Sequence, residues 1–565
     1  MISFNKITPI LICIVIFTTA CGNTEDDLVR SDMVEDMSTS QADTWFTNVI
    51  REAEVLGGPL QDHKFNFGPG ASWADYDNDG DLDIYVASIQ DNLLYRNDGN
   101  GIFEDVTDES GVQGRCNSYG VAWGDYDNDS DLDLYVVCHS QDKWSSQDNE
   151  AYEPNLLYRN DGNGIFSEIA KSAGVDYRSH GTGAAWVDYN LDSHLDLYVT
   201  NYGVYGEPGQ GWWDGNVLYK NNGDGTFKDV SIQSGLVSLD ERHTEGTSSY
   251  SYFDSYFGHE FESTGMTYSS LWFDYDNDGD QDLIDCNDDG ISPLYRNDLN
   301  DGFVDVTLEA GLLVAADCMG VDAGDYNKDG WLDVYWTNYD ENYLWKNNGD
   351  GTFSEVAEDL GVADLNIGWA TGFIDFDNDG YLDIYATNGI IGFSSEDGIP
   401  DGKPAHQPNI LYRNTGDGAF EDVTEVAGVG DMGVGRGTAV GDYNNDGGVD
   451  LYVVNSDKEN VLYRNNIGSE NNWVKIKLVG SESNSYGIGS RVTLVTGTLQ
   501  QMFEITNSSG YLGGNGIDLL CGLGLNTEID RIVINWPSGL IQELTEVNAN
   551  RTVVVEENKE HYYIN

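Results

Sequence analysis

The sequence predicts an all-β fold: a seven-bladed β-propeller followed by a small all-β, sandwich-like C-terminal domain. Three observations point there. The stretch Asp75-Tyr76-Asp77-Asn78-Asp79-Gly80-Asp81-Leu82-Asp83 returns as D-x-[DN]-x-D-[GS]-x-x-D at Asp125, Asp188, Asp274, Asp325, Asp375 and Asp442. A second signature, Leu94-Tyr95-Arg96-Asn97, follows each loop and begins again at Leu157, Leu218, Leu294, Leu344, Leu411 and Leu462. The chain has 67 glycines but only 10 prolines, which suits many tight turns between short strands.

Taken in order, the first residues predict export. Lys6 precedes an apolar run from Ile7 to Phe17, too short to span a bilayer. Thr18-Thr19-Ala20-Cys21 resembles the lipobox of bacterial lipoproteins, which implies a signal over 1–21, lipid on Cys21 and an outer-membrane lipoprotein. The family usually has Leu where Thr18 stands. Residues 22–44 form an acidic flexible tether, in which Glu25-Asp26-Asp27 resembles the tract that sends some lipoproteins to the cell surface. No other stretch is apolar enough to cross a membrane, so the lipid is the expected membrane contact. Lys+Arg is 27 against 98 Asp+Glu, a net charge of −71, and nucleic acid is excluded as a partner. A soluble monomer is expected.

Residues 45–466 hold the repeats. The loops start 50, 63, 86, 51, 50 and 67 residues apart, so a unit of about fifty residues carries insertions. After each loop comes an apolar strand such as Ile84-Tyr85-Val86, then the Leu-Tyr-Arg-Asn strand, then Phe103-Glu104-Asp105-Val106-Thr107 or its equivalent. With the Gly-rich strand before each loop, the unit has four strands. The Phe-containing strand is absent after the last loop. Phe46-Thr47-Asn48-Val49-Ile50 matches it, so the N-terminal strand is expected to complete the last blade and close the ring. Loop oxygens at positions 1, 3, 5 and 9, with the position-7 carbonyl, suit one hard cation, and calcium above magnesium or zinc.

These repeats resemble FG-GAP/VCBS repeats, as in the propeller of integrin α subunits. The resemblance implies calcium ligation by Asp75, Asp77, Asp79 and Asp83; by Asp125, Asp127, Asp129 and Asp133; by Asp274, Asp276, Asp278 and Asp282; and by Asp375, Asp377, Asp379 and Asp383. Position 7 adds Asp81, Asp131 and Asp280. Asn replaces Asp at position 3 in the sets Asp188, Asn190, Asp192, Asp196; Asp325, Asn327, Asp329, Asp333; and Asp442, Asn444, Asp446, Asp450. The loop at Asp188 departs furthest, with Ser193-His194 in place of Gly-Asp, and is expected to bind most weakly.

With the loops joining strands 1 and 2 on one face, the long insertions fall on the other. They carry Trp144, Tyr205, Trp212, Trp213, Tyr252 and Tyr256, an expected binding face for a protein or glycan. In the integrin family that opposite face also holds the ligand. Cys116 and Cys138 flank one predicted hairpin, Cys286 and Cys318 hold similar places in consecutive repeats, and both pairs are candidate disulfides; Cys521 is expected as a buried free thiol. Residues 467–557 lack the loop and alternate as strands. Asn472-Trp473, Gly487-Ile488-Gly489-Ser490-Arg491, Gly522-Leu523-Gly524 and Trp536-Pro537-Ser538-Gly539 resemble the ASPIC/UnbV domain, and 558–565 is expected as a tail. Repeats and this domain together resemble bacterial relatives of the cartilage acidic protein family. No H-E-x-x-H, G-x-S-x-G or Walker P-loop is present. A non-enzymatic binding module is therefore expected, with a glycan-processing enzyme using insertion-loop acids, or a structural assembly component, as alternatives.

Overall fold

The computed structural model describes residues 44–565 except 58–67, 89–90, 115, 140–152, 163, 203–214, 237–265, 289, 300–301, 391–403, 508–510, 560–561 and 565. The predicted signal, Cys21 and most of the tether lie outside the described residues.

Seven four-stranded antiparallel sheets follow the seven repeats. Blade 1 runs Ala71–Ala74, Asp83–Val86, Leu93–Asn97, Phe103–Asp105 from the axis outward. The inner strands of blades 2 to 7 are Ser118–Gly124, Gly181–Val187, Thr267–Phe273, Cys318–Gly324, Gly368–Ile374 and Gly435–Gly441. Each inner strand packs on the next, and that of blade 7 packs on that of blade 1, so the ring closes. The outer strand of blade 7 is Phe46–Asn48, with Phe46 opposite Asn465 and Asn48 opposite Tyr463. The N-terminal segment thus covers an edge that would otherwise stand open.

Two contacts repeat at every seam. The position-9 aspartate of each loop, Asp83 to Asp450, is buried and accepts the backbone N–H of the signature asparagine at 2.7–2.8 Å. That asparagine, Asn97, Asn160, Asn221, Asn297, Asn347, Asn414 or Asn465, then donates its side-chain N–H to the position-2 carbonyl of the preceding blade at 2.7–3.0 Å. Asn97 reaches Tyr443, joining first blade to last. The position-2 ring packs on the next blade: Tyr443 stacks on Trp73, Tyr76 on Trp123 and Tyr126 on Trp186, with centroids 6.0–6.3 Å apart. Disulfides join Cys116 to Cys138 within blade 2 and Cys286 to Cys318 between blades 4 and 5, while Cys521 is buried and free.

The C-terminal domain is two four-stranded sheets. One orders Leu519–Gly524, Asn472–Val479, Arg551–Glu556, Tyr562–Ile564; the other orders Leu499–Glu504, Arg491–Thr496, Glu528–Asn535, Ile541–Asn548. Val474, Ile476, Val492, Leu494, Ile532 and Val553 lie in its core with no exposed surface. The expected tail is corrected here: Tyr562–Ile564 pairs with Arg551–Glu556 as an edge strand and so gains a ladder that a free end would lack.

The domain is docked on the propeller, and Thr44–Asn565 forms one compact unit. Its residues 505–507 and 511–518 enter the ring along the axis. Asn507 accepts from Trp186 N and donates to Trp123 O, Gly514 exchanges bonds with Ala71 and Trp73, and Asn515 accepts from Val440 N. Tyr511, fully buried, meets Trp369 at 5.3 Å and Tyr268 at 5.9 Å. The plug satisfies inner-strand groups that face the axis without a ladder partner.

Two substitutions test these seams. Asn160→Ala leaves the carbonyls of Tyr76 and Leu132 without their donor and costs about 2–4 kcal/mol; the expected outcome is a lower urea midpoint. A side chain at Gly522 would put Cβ 2.1 Å from Asp375 Oδ2 and 2.5 Å from Asn378 Cα. Gly522→Ala is therefore expected to lift the C-terminal domain, seen as a larger radius of gyration in solution scattering; an unchanged radius would contradict the docked geometry.

Candidate metal centre

Each loop is a hairpin turn whose backbone is bent twice. Position 4 lies at φ 54–63° (Asn78, Asn128, Leu191, Asn277, Lys328, Asn378, Asn445), and position 6 at φ 71–98°. Glycine takes the second bend without strain, yet Ser130 and Ser193 take it too, at φ 76° and 71°. The position-6 N–H points back to the position-1 carboxylate in all seven loops, at 2.7–3.3 Å. This wraps the turn around its own acids.

The wrap brings three carboxylates to one point in four loops. Asp75, Asp77 and Asp83; Asp125, Asp127 and Asp133; Asp274, Asp276 and Asp282; and Asp375, Asp377 and Asp383 each offer oxygens within 4.8 Å of one another. Such clusters could hold a metal ion. Asp375 shows the fit best: it is 7 % exposed, and its Oδ1 has no hydrogen-bond partner among the described residues. Asp276 Oδ1 is in the same state. An all-oxygen, all-anionic donor set suits a hard divalent cation, not zinc.

The triplets hold part of each predicted set. At position 7, where the backbone carbonyl is the expected ligand, the side chains of Asp81 and Asp131 instead accept from the position-4 asparagine of the preceding loop: Asn445 at 2.7 Å and Asn78 at 3.0 Å. Asp280 is buried, and its Oδ1 has no hydrogen-bond partner among the described residues, but it stands outside the converged triplet. At position 5, Asp79, Asp129, Asp278 and Asp379 also lie outside the triplets; Asp79 accepts from the N–H of Asp81, and Asp379 pairs with Arg413. In the loops at Asp188 and Asp325, Asn190 and Asn327 donate to Asp196 and Asp333.

Burial pushes the position-9 carboxyls up, Asp83 to about 9, and the neighbouring acids add to the shift. Burial likewise raises Asp188 to about 7, and Asp127 and Asp276 to about 6, the last two helped by adjacent aspartates. A folded-state value above the unfolded one means that the folded protein holds the proton more tightly. That stabilisation is complete below about pH 4 and is lost as pH rises through 6 to 9. Chelated protein is thus expected to melt lower at pH 8 than at pH 5. A bound divalent ion replaces those protons, so melting with the ion present is expected to hold or rise over the same interval.

Sequence reasoning missed three sets of residues. The position-4 asparagines link loop to loop: Asn78, Asn128, Asn277, Asn378 and Asn445 donate to the position-6 carbonyl of the next loop at 2.6–3.2 Å. The signature asparagines were legible as a repeat, but their link to the preceding blade was not. Third, the C-terminal domain supplies cations to the loops: Lys477 to Asp75 at 3.2 Å, Arg491 to Asp274 at 3.1 Å and Lys475 to Asp442 at 3.0 Å. It also reaches Ser130 through Tyr486, Ser193 through the Glu482 carbonyl, and Asn378 through the Gly524 N–H. The aromatic residues Trp144, Tyr205, Trp212, Trp213, Tyr252 and Tyr256 lie outside the described residues.

Residues 75–136, 274–336, 325–386 and 399–453 match the FG-GAP-like repeat, and 480–561 match the ASPIC and UnbV model. The chain joins FG-GAP-like repeats to an ASPIC/UnbV domain. This FG-GAP-repeat protein is homologous to cartilage acidic protein 1. It is 24% identical to the mouse protein over 404 residues, covering 69% of this chain and 57% of that one. The human protein is also 24% identical, over 402 residues, 69% of this chain and 56% of that one. The match therefore spans a little more than half the length of those relatives. Among solved structures, an Agrocybe aegerita lectin that recognises non-reducing terminal N-acetylglucosamine overlays with TM-score 0.36 at 17% identity, covering 70% of this chain and 89% of the lectin. A Bacillus licheniformis rhamnogalacturonan lyase overlays with TM-score 0.36 at 12% identity, covering 79% and 78%.

Proposed function

We propose that this FG-GAP-repeat protein is a calcium-stiffened binding module, exported and held at the outer membrane by lipid on Cys21. It acts by binding, not catalysis, and takes a protein or glycan on the face opposite the loops. The observation that carries this reading is the cover on the loop face. The C-terminal domain touches loops 1, 2, 3, 4, 6 and 7, through Lys477, Tyr486, the Glu482 carbonyl, Arg491, Gly524 and Lys475. A large ligand is thereby directed to the other mouth of the ring.

That mouth has an aromatic floor. Tyr202, Met266 and Ile390, which flank three of the insertions, cluster with Tyr119, Tyr268, Trp369 and the plug residue Tyr511. Tyr202 and Met266 pair across the base of two insertions, as His139 and His180 do beside them. These side chains are themselves buried, so they serve as a rigid base from which the insertions depart.

Calcium supports the ligand face only indirectly. Each ion gathers carboxylates whose mutual repulsion would otherwise open the hairpin. A loop held at a hundredfold excess of calcium over its dissociation constant gains about 2.7 kcal/mol. Chelation is expected to lower the melting temperature of the full chain by many degrees, and excess calcium to restore it. An unchanged melting temperature would remove calcium from this reading. A glycan array and an envelope pull-down, run with calcium, then identify the ligand class.

A further inference from the structure

Loop 6 is enclosed where other loops are open. In loops 1 and 2 the turn residues 77–80 and 127–130 are exposed, and in loop 4 residues 277–279 are exposed too. In loop 6 Asn378 and Gly380 are buried, and the side chains of Asp377 and Asp379 are only 13 % and 24 % exposed. Asp375 and Asp383, which converge with Asp377, are buried as well.

Neighbours close the loop from several sides. The strand Leu519–Gly524 of the C-terminal domain lies across it. Gly522 passes so close that a Cβ there would fall 2.1 Å from Asp375 Oδ2, and Gly524 N donates to Asn378 O at 2.8 Å. Asn471 Nδ2 donates to the Asp377 carbonyl at 2.8 Å. Toward blade 7, Asn378 Nδ2 donates to Gly447 O at 2.6 Å and to Gly468 O at 2.7 Å. Toward blade 5, Lys328 Nζ stands 3.1 Å from the centre of the Tyr381 ring.

Arg413 guards what remains open. Its Nη2 pairs with Asp377 at 2.6 Å and with Asp379 at 3.2 Å. The signature arginines of blades 1, 2 and 4 pair instead with the aspartate two residues on: Arg96 with Asp98, Arg159 with Asp161 and Arg296 with Asp298. Blade 6 has Thr415 in that place, and its arginine turns to the loop. The enclosure leaves polar atoms unsatisfied: the buried Asp375 Oδ1 and Asn378 Oδ1 have no hydrogen-bond partner among the described residues. Carboxylates buried in this way are costly without a counter-ion.

We propose that loop 6 is a locked site. A divalent ion held there leaves only when the strand Leu519–Gly524 lifts from Asp375, and the filled loop in turn holds the C-terminal domain down. The inference rests on the calcium reading above and adds an order of events, with loading before docking. Linkage makes the lock reciprocal, because an ion that favours the docked state is itself held more tightly in that state. Asp77 and Asp127 are exposed, so ions in loops 1 and 2 exchange with solvent without that movement.

The test is the release of calcium from the loaded full chain. Excess chelator is added, the protein is desalted at intervals, and the calcium that stays is counted by elemental analysis. One ion per chain is expected to leave about tenfold more slowly than the rest, or slower still, since its exit waits on a local opening. Asp375→Ala is expected to remove that slow ion, whereas Asp125→Ala is expected to remove a fast one and spare it. Gly522→Ala, which lifts the strand, is expected to release every ion at the fast rate. Asn471→Ala, a milder change in the same cover, is expected to shorten the slow ion's lifetime several-fold. In hydrogen exchange, Asp375→Ala is expected to speed Leu519–Gly524 several-fold. Release of all ions together, a slow ion that survives Asp375→Ala, or unchanged exchange in that variant would overturn the lock and leave the calcium reading intact. A slow ion whose lifetime is the same in Gly522→Ala and Asn471→Ala would overturn it too. Zero bound ions at saturating calcium would sink both readings together.

Discussion

The structure depends on a buried carboxylate. In every blade the position-9 aspartate sits beneath the hairpin turn, where an isolated charge is expensive. Its partners define the fold around it. One oxygen takes the N–H of the signature asparagine, fixing the third strand against the second. The other takes the position-2 N–H in blades 1, 2, 4, 6 and 7, fixing the turn. The asparagine's own amide then reaches the preceding blade. One acid thereby sets register within a blade and spacing between blades, and the asparagine bond recurs at all seven seams, with the Cys286–Cys318 disulfide added between blades 4 and 5.

What those N–H groups leave uncompensated faces the mouth of the loop, and that is where the neighbouring acids gather. The protein answers this concentration of negative charge in two ways: by geometry that fits a divalent ion, and by basic side chains from its own blades or from the C-terminal domain. The second answer gives that domain its position. Lys475, Lys477 and Arg491 lie on two strands, Asn472–Val479 and Arg491–Thr496. The acid loops and the basic strands are complementary halves of one interface. The plug extends the contact along the axis until Tyr511 packs against Trp369 and Tyr268 beneath the opposite mouth.

Much of this was legible in the residues. The loop repeat, the four strands of each blade and the N-terminal strand that closes blade 7 follow from periodicity, because each blade must bury the same faces in the same order. The four triplets of aspartates are likewise readable, since a tight turn has few ways to place positions 1, 3 and 9. Three things were not readable. That the Asp81 and Asp131 side chains face the neighbouring loop depends on the rotation between adjacent blades, which no local pattern encodes. That 467–557 would form a lid is carried by pairs such as Lys477 and Asp75, four hundred residues apart in the chain. The plug residues 505–507 and 511–518, with Gly513-Gly514 and Gly516, have the composition of an ordinary connection, and only the unpaired inner edges of the blades explain why they lie where they do.

The central claim is that the converged carboxylates surround a hard cation. Anomalous diffraction from crystals grown in calcium, or soaked with a lanthanide, tests it most directly. The account predicts peaks about 2.3–2.6 Å from the oxygens of Asp75, Asp77 and Asp83, and likewise in the loops at Asp125, Asp274 and Asp375. Crystals that show those oxygens bonded only to N–H groups or to one another, with no peak between them at saturating calcium, would contradict it.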